Sequence, residues 1–165
     1  MLLNETWQKL IEKGYNNPCL LLHPCGGWTK DDDVPLPTWI KQHQALLADG
    51  TLNPDTTILA IWPSPMFYAG PTEVLWHVSS RVNAGIGVKY FIVGWDPAGI
   101  GHPEHKGVNL YDPFHGQQLL DISSRLFRSH VTIMPFRVAA YNKVSKKMEF
   151  FDHSRSSEFE FISGT

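Results

Sequence analysis

Two cysteines, Cys19 and Cys25, are too few for a disulfide framework or a four-thiolate zinc site. A reducing setting fits that scarcity, and Cys19, in the apolar run Cys19-Leu20-Leu21-Leu22, is expected as a buried thiol. Positive charge is not in excess either. The formal net charge is −2, so nothing here marks a nucleic-acid binder. No apolar run approaches the roughly 18 residues that span a bilayer. Met1-Leu2-Leu3-Asn4-Glu5 does not read as a signal peptide. Neither a nucleic-acid nor a membrane partner is expected, and the cytoplasm, or else the nucleus, is the expected location. Internal repeats, linkers and low-complexity segments are missing as well. At 165 residues the chain is one domain by length, able to bury roughly 70% of its unfolded surface.

What the chain has is alternation. Asn4 is placed to cap a helix carrying Trp7, Leu10 and Ile11 on one face, with Gly14 just past its end. Pro18 precedes the strand Cys19 to Leu22. Pro37 and Thr38 open a helix with Trp39, Ile40, Leu46 and Leu47 inward, closed by Gly50. Residues Thr57 to Trp62 read as a second buried strand. Pro71 suits the first position of a helix with Val74, Leu75, Val78 and Val82 facing the core, ended by Gly85. Val88 to Val93 is a third strand, Gln117 to Phe127 a helix and Val131 to Met134 a fourth strand. This pattern predicts an α/β fold with a parallel sheet and helices on both faces. Val138 to Tyr141 and Met148 to Phe151 could instead form an antiparallel hairpin.

The third strand empties into Gly94-Trp95-Asp96-Pro97-Ala98-Gly99-Ile100-Gly101. Glycines allow the backbone to turn sharply and approach a ligand closely. In an α/β protein, small anionic ligands gather at the carboxyl ends of strands. The loop is therefore the first candidate for a nucleotide site, although it matches neither Gly-x-Gly-x-x-Gly nor a Walker A sequence. A plain surface turn is the competing reading. Lys30, Arg81, Arg137 and Lys143 are candidates to neutralise phosphates, each weighed against a solvated surface charge. Arg137 stands out because it follows the fourth strand through Pro135 and Phe136. Trp28, Trp62 and Tyr68 could flank a base or pack locally.

Two other chemistries find less support. His102 and His105, with Asp96 and His115 nearby in sequence, raise a metal site, but Pro103 and the glycines make that segment a loop. No metal is expected. Ser64 and Ser163 lack the Gly-x-Ser-x-Gly frame of a hydrolase, and Ser64 is expected to make a local turn between Pro63 and Pro65.

Four stretches resemble one known family. They are His23-Pro24-Cys25-Gly26-Gly27-Trp28-Thr29-Lys30-Asp31-Asp32-Asp33-Val34-Pro35-Leu36; Pro63 to Glu73; Met134-Pro135-Phe136-Arg137-Val138-Ala139-Ala140-Tyr141-Asn142-Lys143; and Phe161 to Thr165. Their order and spacing are similar to ATP sulfurylase (sulfate adenylyltransferase), in the form fused into animal bifunctional PAPS synthases. The resemblance implies a Rossmann-like nucleotidyltransferase α/β fold, truncated at both ends, with residues 1–165 as one partial catalytic domain. It implies ATP, carried with Mg²⁺, and inorganic sulfate as substrates, and adenosine 5′-phosphosulfate and pyrophosphate as products. By position it implies nucleotide or sulfate contacts at Asp96, Pro97 and Ala98, a substrate-recognition switch at Phe136 and a backbone contact to adenine at Val138. Arg137 is the candidate charge stabiliser.

Two departures qualify that implication. The family's Gln-x-Arg-Asn-Pro-x-His-x-x-His motif is expected just before residue 1 and is not in this sequence; Trp95 stands where the family loop carries arginine. An indole offers a single neutral N–H and cannot neutralise a phosphate. The expectation is a chain with little sulfurylase turnover of its own. As an alternative it is a nucleotide-binding remnant that forms a homo-oligomer or associates with a full-length PAPS synthase. An unrelated metal-dependent hydrolase is a third, more distant class.

Overall fold

The computed structural model describes residues 2–94, 100–106, 108–112, 114–123, 125 and 131–161. Residues up to 66 form one compact unit and residues 67–161 a second.

The first unit contains α1 (Leu2–Glu12), β1 (Leu20–Leu22), α2 (Leu36–Ala48) and β2 (Thr57–Leu59). Helix α1 begins earlier than expected, so Asn4 lies inside it and does not cap it. Gly14 does end it: its φ of +89° is open to glycine, and its N–H donates to the Ile11 carbonyl at 2.8 Å. Pro35 holds the N-cap of α2 in an extended conformation, and Pro37 sits in the first turn, where an amide proton would have no helical partner.

β1 and β2 pair in parallel, Leu21 opposite Ile58. Burial here is shallower than the apolar runs suggest. Cys19 is exposed, not buried. No residue of α2 is fully buried, and Trp39 and Leu46 are exposed rather than inward. Ile58 and Ile61 of the second strand region are more than half exposed. A two-stranded pair has little surface to bury a second row of side chains against.

The second unit runs α3 (Pro71–Asn83), β3 (Tyr90–Val93), α4 (His115–Ile122), β4 (Thr132–Pro135), β5 (Ala139–Asn142), β6 (Lys147–Phe150) and β7 (Phe159–Glu160). β3 and β4 are parallel, with Val93 opposite Pro135. Val74 and Val78 of α3, Val93, Leu120 of α4 and Val131 form the buried core, with Leu75, Val82, Val88, Phe91 and Ile133 packed around it. The inward residues expected of α3 are therefore in place. Gly116 lets α4 approach α3: a Cβ there would stand 3.0 Å from a Val74 methyl. The predicted hairpin is β5–β6, Tyr141 opposite Met148, with β7 added on the other side of β5. Parallel pairing is thus found in both units. Among the described residues, however, it forms one two-stranded pair per unit and not one continuous sheet.

Candidate functional site

The carboxyl ends of β3 and β4 come together at one side chain. Gln117, in the first turn of α4, places Nε2 3.3 Å from the Val93 carbonyl oxygen, 3.1 Å from that of Gly94 and 3.0 Å from that of Phe136. The Phe136 N–H also donates to Val93 O at 2.9 Å. Gly94, which opens the glycine-rich loop, and Phe136 thus lie side by side at the edge where parallel strands of an α/β fold present ligands. Asp96, Pro97 and Ala98 lie outside the described residues. Phe136 and Val138 are buried at 3% and 8% exposure, while Arg137 between them is exposed. The Arg137 guanidinium packs 4.3 Å from the centre of the Phe150 ring. The Val138 carbonyl accepts from the Phe151 N–H at 2.8 Å.

A second construction lies at the start of α3. Glu73, 1% exposed, accepts from the Phe67 N–H at 3.1 and 3.2 Å and from the Ala69 N–H at 3.2 Å. The segment it holds carries Tyr68 at φ +52° and Gly70 at φ +59°. Tyr68 pays in backbone strain for a conformation that glycine adopts freely. A Cβ on Gly70 would collide with the Tyr111 ring. Ala69, Pro71 and Thr72 on one side and Tyr111, His115 and Gln118 on the other border an open cleft of about 430 Å³.

One and two turns along α3, His77 and Arg81 continue from Glu73. His77 Nε2 is 3.1 Å from Glu73 Oε1, and Arg81 Nη1 donates to His77 Nδ1 at 2.7 Å. Arginine has no acceptor, so Nδ1 must accept, and the ring proton sits on Nε2 facing the carboxylate. Burial lowers the His77 pKa first, the Arg81 charge lowers it further, and Glu73 pulls the other way. A neutral imidazole therefore bridges a carboxylate and a guanidinium. Arg81, weighed from sequence as a phosphate ligand, is 2% exposed and joined to His77 and Ser80 Oγ. It is neither a surface charge nor a cation presented to solvent.

In the first unit, the segment from His23 to Trp28 runs beside residues 60–66. Trp62 N–H donates to Pro24 O at 2.8 Å, Gly26 N–H to Trp62 O at 2.7 Å, Gly27 N–H to Ser64 O at 3.1 Å and Met66 N–H to Trp28 O at 2.9 Å. Two of the family-like stretches therefore extend the β1–β2 pairing. Gly27 is required by this approach, since its Cβ would lie 2.6 Å from Pro65 Cα and 2.7 Å from Ser64 C. Ser64 is 3% exposed and its Oγ donates to the Pro65 carbonyl at 3.1 Å, the local role expected of it. Lys30 Nζ lies 3.3 Å from Asp32 and 3.9 Å from Asp33. The Lys143 side chain is exposed. Trp28 is largely exposed, and Trp62 and Tyr68 are half-buried. The His102 and His105 rings are 4.5 Å apart, and His102 Nδ1 accepts from the Glu104 and His105 amides. Among the described residues no group of three or more potential ligands gathers to hold a metal.

Sequence reasoning missed Glu73, His77 and Gln117. The i, i+4, i+8 spacing of Glu73, His77 and Arg81 on a predicted helix was a legible signal. Gln117 carried none, because its three acceptors are brought to it from distant parts of the chain.

A profile of the ATP-sulfurylase family matches residues 1–165. ATP sulfurylase 2 of Arabidopsis thaliana is 56% identical over 165 residues, all of this chain and 34% of the relative. ATP sulfurylase 4, chloroplastic, of the same plant is 54% identical over the same span and also covered to 34%. A sulfate adenylyltransferase of Symbiobacterium thermophilum is 40% identical over 102 residues, 62% of this chain and 23% of the relative. The chain spans about a third of the length of the plant proteins it matches. These relatives are plant and bacterial, and none of their names points to an animal bifunctional synthase. No helix among the described residues is long and apolar enough to cross a membrane.

Proposed function

We propose that this chain, which belongs to the ATP-sulfurylase family, supplies the nucleotide-binding part of a sulfate adenylyltransferase centre. In that reaction a sulfate oxygen attacks the α-phosphorus of MgATP. The bond to the β-phosphate oxygen breaks, pyrophosphate leaves, and adenosine 5′-phosphosulfate remains. No covalent enzyme intermediate is needed, so the protein's work is to position substrates and offset charge.

One observation carries the reading: the origin of the glycine-rich loop at Gly94 and the Phe136 to Val138 segment meet at one side-chain amide, in a chain matched from end to end by the family. On this reading Asp96, Pro97 and Ala98 contact nucleotide and sulfate, and Phe136 couples ATP binding to substrate recognition. The adenine contact at Val138 is a backbone one; its carbonyl accepts from the Phe151 N–H and keeps a second lone pair. Arg137, exposed and lying over the Phe150 ring, keeps its charge and its N–H donors available to an anion. On the same reading the parallel pairs belong to a Rossmann-like nucleotidyltransferase fold. The finer resemblance to the form in animal PAPS synthases, a cytoplasmic or nuclear location, and assembly with a second copy or a full-length synthase belong to the same proposal.

Trp95 favours a second reading, a module that binds nucleotide without turning it over. Removing one preorganised charge donor typically costs about 10²–10³ in rate. Calorimetry with MgATP and sulfate-dependent pyrophosphate release by the purified chain separate the two. We expect MgATP binding that is strengthened by Trp95→Arg, with turnover near background. Steady pyrophosphate production would exclude the binder, and absence of MgATP binding by both proteins would overturn the nucleotide reading.

A further inference from the structure

The first turn of helix α4 supplies the side chain on which the two strand ends meet. We propose that Gln117 is a positioning residue of the nucleotide site: its amide clasps the Val93, Gly94 and Phe136 carbonyls and so fixes the end of β3, at Gly94, against Phe136. This inference rests on the nucleotide reading of that edge.

The geometry asks for this residue type. Three carbonyl oxygens converge within 3.0–3.3 Å of Nε2. Such a cluster presents the negative ends of three dipoles where an anionic polyphosphate would approach. A primary amide nitrogen carries two N–H groups and no acceptor, so with one N–H shared between two carbonyls it caps all three and holds their spacing together. Leucine has a similar volume but no donor. A glutamate would turn carboxylate oxygens toward the carbonyls, and burial among acceptors would raise its pKa until it bound a proton. The backbone beneath the side chain is held as well. Gly116 admits α4 close to Val74 of α3, and Leu120, one turn further, is fully buried in the core.

The test compares wild type, Gln117→Leu, Gln117→Glu and Gln117→Lys in the 165-residue chain, with MgATP as the probe. Hydrogen exchange of residues 90–94 and 132–138 is measured without ligand, with β5–β6 protection as the folding control. Gln117→Leu is expected to speed exchange at these strand ends and to weaken MgATP binding about tenfold, the scale of one or two lost hydrogen bonds. Gln117→Lys keeps donors and should restore protection. The exchange and MgATP-affinity defects of Gln117→Glu relative to wild type should shrink together as pH falls from about 8 to about 5.5 and the carboxyl gains a proton; a merely structural role would restore the exchange protection alone. Unchanged exchange with unchanged MgATP affinity in Gln117→Leu would overturn the proposal. Faster exchange with unchanged affinity would also overturn it, leaving a structural clasp only. If wild type fails to bind MgATP, the nucleotide reading and the positioning role fall together, whereas exchange still decides whether the clasp exists.

Discussion

Removing the Glu73 carboxylate should be among the most damaging single changes to the second unit. Glu73→Ala deprives the Phe67 and Ala69 N–H groups of their acceptor and takes the anionic end from the chain through His77 to Arg81. A hydrogen bond to a charged group contributes about 1.5–3 kcal/mol, and Glu73 makes such bonds to two amides and to the neutral His77 ring, so the sum starts at about 3 kcal/mol. The bonds here are 3.1–3.2 Å, longer than the 2.7–2.9 Å of strong charge-assisted bonds, and they share one acceptor group. The lower end applies, about 3 kcal/mol. That is a large share of the roughly 5–15 kcal/mol that holds a domain folded. Glu73→Gln keeps the shape and one acceptor oxygen but turns an NH₂ toward backbone donors, so an intermediate loss of about 1–2 kcal/mol is expected. Urea unfolding followed by circular dichroism gives the energies, and amide exchange at Phe67 and Ala69 reports the loop directly. A Glu73→Ala loss below about 1 kcal/mol, with both amides still protected, would refute the reasoning.

Leu120 is fully buried among Val74, Val78, Val93 and Val131, so Leu120→Ala should cost about 2–5 kcal/mol in urea unfolding and Leu120→Met under about 1.5. Gly27→Ala should force the 23–28 segment away from Ser64 and Pro65, seen as lost exchange protection at the Gly27 and Met66 amides. The His77 pKa is lowered on folding, so the unfolded chain binds the proton first as pH falls. Its stabilising share is full above the unfolded value of about 6.5 and is lost as pH drops through the lower folded value. Wild type should thus lose more stability than His77→Gln between about pH 7.5 and about pH 5.5, and parallel pH profiles would count against a neutral bridging imidazole.

By itself the sequence determined the local elements and the family. Prolines and glycines at helix ends, apolar runs of strand length and the polar turn before β6 are short-range signals, and α3, β3, β4 and the β5–β6 hairpin all formed where they pointed. The 3.6-residue spacing of Val74, Val78 and Val82 was enough to name the buried face of α3. Burial elsewhere was not legible, because an apolar residue is buried only if another surface covers it. Cys19, Trp39 and Ile58 were exposed for want of one among the described residues. The Arg81 network on α3 was legible in its i, i+4, i+8 spacing, whereas only the folded chain decided that Glu73 holds a strained loop and that Gln117 draws two strand ends together. Each depends on hydrogen bonds whose other half is a backbone group or a ring nitrogen. Backbone groups are the same at every position in a sequence, and only the fold says which of them will meet.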